Sequence, residues 1–193
     1  VNGRRVRIAN PRDALAAGIG LALVPEDRKN HGLLLPKPIR ENIVLPILSR
    51  ISRMGFLDKG AERKLALGAM RQLNVVARNM DQAVGSLSGG NQQKVVIAKL
   101  LQTRAHILLL YDLTRGVDVG TKADIFQLMR DLAARGYAIL FYSTDMQELI
   151  HVADRIIVLS DGTVTATLDG EAMTEERILR ASIVSAAEAG VAV

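Results

Sequence analysis

Between Ile107 and Leu159 the chain alternates apolar runs with amphipathic stretches at a spacing that few folds accommodate. Ile107-Leu108-Leu109-Leu110-Tyr111-Asp112 is a continuous apolar run closed by a carboxylate, Ala138-Ile139-Leu140-Phe141-Tyr142 is a second, and Arg155-Ile156-Ile157-Val158-Leu159 is a third. Runs that are apolar at every position belong to strands buried on both faces, as in parallel sheets. Between the first two, Thr121 to Arg135 sets Ile125, Leu128, Met129 and Leu132 on one helical face and stops before Gly136. Between the second and third, Asp145 to Val152 predicts a shorter helix. Strand, helix, strand, helix, strand at this spacing predicts right-handed βαβ units and an α/β core. The interior must be aliphatic, since 49% of the residues are hydrophobic and only 3% aromatic.

Upstream of this rhythm lies Leu87-Ser88-Gly89-Gly90-Asn91-Gln92-Gln93-Lys94, a serine and a glycine pair that open directly onto a helical pattern (Val95, Val96, Ala98, Lys99, Leu100, Leu101). Glycines ahead of a helix leave its first unpaired N–H groups without a Cβ to block approach. With the positive end of the helix dipole and one hydroxyl, the stretch predicts an anion site, and phosphate is the anion it suits best.

The rest of the chain is read around these two features. Val1 to Ile8 is expected as the end of a hairpin, Ala14 to Ala17 as a short helix opened by Asn10-Pro11 and closed by Gly18, and Ile19 to Val24 as a buried strand. Pro25-Glu26-Asp27-Arg28-Lys29 places charges at the carboxyl end of that strand, where α/β proteins put ligand contacts. Leu45 to Ala83 reads as helical. Within it Ala61, Leu65, Gly68, Met70 and Leu73 are expected on the inner face of a helix beginning near Asp58. Met54, Met70 and Met80 are read as packing residues. Asp161-Gly162 signals a hairpin into an alternating edge strand, Thr163 to Leu168. Thr174 to Ile183 is expected to be helical, with a frayed tail after Ser185.

Composition excludes several classes. Without cysteine there are no disulfides or thiolate metal sites. The net charge of +5 is dispersed over Arg4 to Arg180, and with few aromatics to stack bases, no nucleic-acid partner is expected. No run is long enough to span a bilayer, and the N-terminal arginines are not followed by a signal-peptide core. His31, His106 and His151 share no carboxylate spacing and read as surface residues.

The octet LSGGNQQK resembles the signature motif of ATP-binding cassette (ABC) transporter ATPases, in the version found in importers of simple sugars. Thr114-Arg115-Gly116-Val117-Asp118-Val119-Gly120 and Pro25-Glu26-Asp27-Arg28 are similar to further motifs of the second cassette in tandem sugar importers. Together these carry the resemblance over nearly all of Asn2 to Ser182. It implies a P-loop NTPase-like α/β core with a parallel sheet and an inserted helical lobe. The expected division is 1–25 as the end of an N-terminal β region and core strand, and 26–85 as sensing loop and lobe. Residues 86–168 would hold the signature helix and βαβ core, and 169–193 the last helix and tail. The implied cofactors are ATP and Mg²⁺, held mainly by a partner cassette. The implied nucleotide contacts are Ser88, Gly89, Gly90 and Gln92, with Asp118 at the dimer contact, Glu26 in the phosphate-sensing loop and Thr144 at the switch position. The implied partners are a second cassette, a membrane sugar permease and, indirectly, a sugar-binding protein. The implied location is the inner face of the cell membrane, reached through the permease.

Departures from the family pattern sharpen the expectation. No G-x-x-x-x-G-K-[ST] phosphate loop occurs in the 193 residues, so the resemblance implies that such a segment precedes residue 1. Registering on Thr114 to Gly120 puts Tyr111 at the metal-aspartate position and Asp112 at that of the catalytic glutamate. Sliding by one makes Asp112 the metal aspartate and Leu113 the base. Either register loses one carboxylate, so Asp112 is the one catalytic candidate and no metal ligand set is assigned. Two functions follow: a partial second cassette that lends its signature to ATP on a partner and couples hydrolysis to sugar uptake, or a catalytically dead remnant or permease-binding module.

Overall fold

Strand β1 (Leu21–Val24) follows Gly20 and ends at Pro25, which has no N–H to continue the ladder. The computed structural model describes residues 5–10, 13–14, 20–103 and 105–183, in two units, Val1–Tyr142 and Ser143–Val193. In the first, helix α1 (Ile39–Val44) leads through a 3₁₀ turn to a two-strand hairpin, β2 (Ser52–Arg53) and β3 (Phe56–Leu57), and then to α2 (Lys59–Gln72). Helix α3 (Gly89–Leu101), strand β4 (Ile107–Tyr111), helix α4 (Val119–Ala134) and strand β5 (Ala138–Tyr142) complete the unit. The sheet is parallel, in the order β1-β4-β5, with Leu21, Ile107 and Ala138 aligned across it, as are Leu23, Leu109 and Leu140.

The expectation of strands buried on both faces fails in an instructive way. Ala22, Val24, Leu108 and Leu110 are buried, whereas Leu21, Leu23, Leu140 and Tyr142 on the opposite face are exposed. Helices α3 and α4 lie side by side, tied by the Lys94–Asp124 ion pair at 2.8 Å, and they supply cover to one face only.

In the lobe, α2 begins where expected, capped by Asp58, whose carboxylate accepts from the Ala61 N–H at 2.9 Å. Its buried stripe is Glu62, Ala66, Ala69, Met70 and Leu73, rotated from the expected one, and Gly68 is exposed. A hydrophobicity pattern cannot reveal this, because the stripe includes a carboxylate made tolerable inside by Arg40 at 2.6 Å and Lys59 at 3.3 Å. Arg40 also binds Asp81 at 2.6 Å, joining α1, α2 and the loop before Ala83. Residues 52–57 are a hairpin where a helical reading was expected. Met54 sits at its tip with φ 51° and is exposed, so it packs against nothing; Met70 is buried.

Residues 5–8 have no regular structure where the end of a hairpin was expected, and the rest of that hairpin lies outside the described residues. Of the expected first helix, Asp13 and Ala14 are helical and residues 15–18 lie outside the described residues, as does the tail after Ser185.

In the second unit, α5 (Met146–Val152) precedes β6 (Arg155–Ser160), β7 (Thr163–Asp169) and α6 (Glu175–Ile183). Here the third apolar run departs from the parallel reading: β6 pairs antiparallel with β7, from Arg155 opposite Asp169 to Ser160 opposite Thr163. The turn between them, Asp161-Gly162, has φ of 50° and 76°, the left-handed pair that brings adjacent strands together locally. Ile156, Val158 and Ile178 form this unit's core.

Candidate functional site

Ser88 stands at the N-cap of α3 in extended conformation, and its hydroxyl oxygen accepts from the side-chain amide of Asn91 at 3.0 Å and from the Asn91 N–H at 3.4 Å. Asn91 is held in turn by accepting the Val76 N–H at 2.7 Å. The serine oxygen is engaged as an acceptor while its proton remains to be donated. The N–H groups of Gly89 and Gly90, in the first turn, have no partner within the helix by position.

The glycine pair has a second reason for being there. A β-carbon on Gly89 would stand 2.8 Å from Nη2 of Arg28 and 3.4 Å from the Gly116 carbonyl oxygen. One on Gly90 would stand 2.6 Å from Oγ1 of Thr121 and 2.9 Å from its methyl. The loop after β1, the loop after β4 and the first turn of α4 therefore meet at the tip of α3, and at Gly90 they leave no room for a β-carbon. Gln92 faces inward, 5% exposed, with its amide donating to the carbonyls of Leu87 and Gly85 at 3.1 and 3.4 Å. It braces the turn from below.

The 25–32 loop is fastened at both ends. Asp27 accepts from the N–H groups of Lys29 and Asn30 and from the Asn30 side-chain amide, and these bonds, the side-chain one foremost, hold its carboxyl below the usual range. Lys99 of α3 donates to the Gly32 carbonyl at 3.0 Å, and burial pushes its amine down. Arg28 donates to the Arg115 carbonyl at 3.3 Å, and Arg115 pairs with the carboxylate of Glu26. Glu26 thus lies beside the loop that follows β4.

That loop starts at Asp112, which is buried, with φ 47° and its N–H donating to the Tyr142 carbonyl at 2.9 Å. Its carboxylate lies 4.0 Å from Arg115. Tyr111, on the exposed face of β4, stacks on Tyr142 with ring centroids 4.8 Å apart. Asp118 caps α4, accepting the Thr121 N–H at 2.9 Å and the Thr121 hydroxyl at 2.7 Å, which keeps its carboxyl below the usual range.

The first unit thus brings together Glu26, Ser88, Gly89, Gly90, Asp112 and the Thr121 contact of Asp118. Thr144 belongs to the second unit and is exposed; the neighbouring Ser143 hydroxyl donates to buried Glu148 at 2.6 Å. His31, His106 and His151 are exposed. Sequence reasoning missed Arg28 and Thr121, whose importance comes entirely from what they touch. A glycine pair flanked in space by a cation and a helix tip was the signal, and it is not local in sequence.

Chemically, the tip of α3 and the guanidinium of Arg28 offer donors suited to phosphate oxygens, whereas the start of α4 is taken up by the carboxylate of Asp118. A metal is a different matter: among the described residues no three His, Asp or Glu side chains stand together to hold one.

The sequence profile of the family described as ABC transporter matches residues 8–115. The chain is 48% identical over 183 residues to the ribose import ATP-binding protein RbsA 1 of Rhizobium johnstonii, covering 95% of this chain and 36% of that protein. It is 44% identical to a putative ribose/galactose/methyl galactoside import ATP-binding protein of Rhizobium meliloti, covering 93% and 35%, and 42% identical to the ribose import ATP-binding protein RbsA of Geobacillus kaustophilus, covering 94% and 36%. The chain therefore spans about a third of the length of these curated relatives. Among solved structures, a dimeric bacterial ABC transporter cassette superposes with a TM-score of 0.67 at 26% identity, covering 84% of this chain and 68% of that one. A cassette in a post-hydrolysis dimer bound to ADP and Pi superposes with a TM-score of 0.69 at 24% identity and the same coverage.

Proposed function

Because the chain belongs to the ABC transporter ATPase family, we propose that it is part of the ATP-binding subunit of a carbohydrate importer and acts by completing another cassette's nucleotide site. The observation that carries this reading is Ser88, exposed at the N-cap of α3 ahead of a glycine pair, with the guanidinium of Arg28 beside Gly89.

In this reading Ser88, Gly89 and Gly90 donate to the terminal phosphate of ATP held by a partner cassette, and Gln92 keeps their turn in shape. Asp118, at the start of α4, faces that partner, and Glu26 senses phosphate arrival through its pairing with Arg115. Thr144 takes the switch position without a titratable ring. Bound ATP with Mg²⁺ supplies the phosphoanhydride bond whose hydrolysis drives transport. Asp112, buried at the end of β4 with its carboxylate 4.0 Å from Arg115, is the carboxylate this reading assigns as the base. A sugar permease, fed by a binding protein, anchors the subunit at the membrane's inner face. No helix among the described residues is long and apolar enough to cross a membrane, so the attachment would come from that partner.

The test is Ser88→Ala and Gly89→Asp in the assembled transporter. ATP turnover falling at least tenfold with unchanged permease binding supports the reading. Unchanged turnover would reduce the chain to a permease-binding module.

A further inference from the structure

The β2–β3 hairpin of the lobe reverses the chain in two residues. Ser52 stands opposite Leu57 and Arg53 opposite Phe56, so Met54 and Gly55 make the whole turn. Both have left-handed φ, 51° and 83°, which is the backbone of a type I′ turn. The first of these positions suits Asn, Asp or Gly, and a long apolar side chain there costs stability. Here it is methionine, and it is 91% exposed. Met54 therefore holds an unfavourable backbone position without any packing within its own unit to offset it.

The side chains beside it follow from the pairing. Directly opposed residues of an antiparallel pair point to the same face, and successive pairs alternate. Ser52 and Leu57 are half-buried, whereas Arg53 and Phe56 share the outward face, with Phe56 81% exposed. The base of the hairpin is firm. The Asp58 N–H donates to the Ile51 carbonyl at 2.9 Å, and the Ile51 N–H donates to the carbonyls of Ile47 and Leu48 at 3.3 and 3.2 Å. Arg50 and Lys59 flank that closing bond. Residues 50–59 thus carry three cations, Arg50, Arg53 and Lys59, against one carboxylate, Asp58, which is occupied in capping α2. Arg50 and Arg53 have no ion-pair partner among the described residues.

An apolar tip on a firm base, flanked by cations, complements a surface that is anionic outside and apolar beneath, which is how a bilayer containing acidic phospholipids is built. We propose that the β2–β3 hairpin is a lipid-contact site. Met54 and Phe56 enter the boundary between headgroups and acyl chains, and Arg50, Arg53 and Lys59 stay with the phosphates of anionic phospholipids. A protein partner would have to supply both an apolar socket and an acidic rim, whereas a bilayer presents the two together. The contact is additional to attachment through a permease and does not depend on the ATP reading.

The chain has no tryptophan, so Phe56→Trp introduces a single fluorescent reporter at the tip. The probe is phosphatidylcholine vesicles containing roughly 30% phosphatidylglycerol, with pure phosphatidylcholine vesicles as the neutral comparison. The expected result is a blue-shifted emission, quenched by lipids brominated in the acyl chain, on the anionic vesicles only, with binding that falls as salt is added. Arg50→Glu with Arg53→Glu should weaken partitioning of the chain about tenfold or more. Met54→Asn should weaken it about fivefold while raising the melting temperature, because asparagine suits the turn and lacks the apolar surface. A variant that gains stability as it loses binding has not lost binding by unfolding. Leu140→Trp, on the exposed face of β5, serves as the control position. Five results would each overturn the proposal: emission unmoved by anionic vesicles, equal binding to neutral ones, partitioning unchanged by Met54→Asn, a shift at Leu140→Trp in place of Phe56→Trp, or binding that needs a permease in the bilayer. Nucleotide is omitted throughout, so the outcome is separate from whether Ser88 serves a partner's ATP.

Discussion

Arg28 and Gly89 share one space: Nη2 of the guanidinium lies 2.8 Å from where a β-carbon on the glycine would be. Through this contact a loop at the end of β1 touches the tip of a helix that begins sixty residues later. The neighbouring pair, Gly90 and Thr121, is tighter and stiffer, because the threonine is β-branched and its hydroxyl is held by Asp118.

Gly89→Ala and Gly90→Ala should therefore differ. The end of an arginine swings aside cheaply, so Gly89→Ala should shift the melting temperature little. Gly90→Ala forces Thr121 off its rotamer and should cost about 1–3 kcal/mol. Adding Thr121→Ala, which deletes the two closest atoms, should recover part of that loss. Thermal denaturation of the three variants checks the order.

Arg40→Ala should be among the most damaging single changes in the lobe. It leaves Glu62, whose side chain is 1% exposed, with Lys59 at 3.3 Å in place of the closer Arg40 pair, at a cost of about 3 kcal/mol. Replacing both, Arg40→Met with Glu62→Leu, should return stability to near the starting value. Urea denaturation read by far-UV circular dichroism separates the two outcomes.

Asp118 ties stability to acid. Its folded-state carboxyl is depressed by the Thr121 N–H and then by the Thr121 hydroxyl, so its contribution is present above the unfolded value near 4 and is lost as pH falls through the folded one. The melting-temperature gap between the parent chain and Asp118→Ala should be open at pH 7 and should close at acid pH, below about 4. A gap that persists unchanged there would mean the capping bonds do not depend on ionisation.

The tyrosine stack should show coupling. Tyr111→Leu and Tyr142→Leu should each remove near-ultraviolet dichroism from the pair, and the double variant should be more stable than the sum of the single losses predicts, by about 0.5–1.5 kcal/mol. Strict additivity would show that the rings merely lie near each other.

Much of the fold was legible because local rules dominate it. The β4, α4 and β5 segments declared themselves through periodicity, Gly136 marked the end of α4, whose start at Val119 lies just ahead of the expected Thr121, and Asp161-Gly162 marked a hairpin that formed as expected. What misled was the assumption that an apolar run must be covered on both sides and that three runs at even spacing share a sheet. An apolar strand shows that it can be buried; it does not show what else is present to bury it.

The candidate site divides the same way. The sequence by itself determined that a serine and two glycines open a helix at Ser88, because capping and backbone freedom act over three or four residues. Only the tertiary structure decided that Arg28, Arg115 and Thr121 close around that tip, that Glu62 is the charge at the centre of the lobe, and that one sheet face stands open. Those contacts join residues tens of positions apart, and they depend on the direction of the chain crossings, which no window of sequence contains.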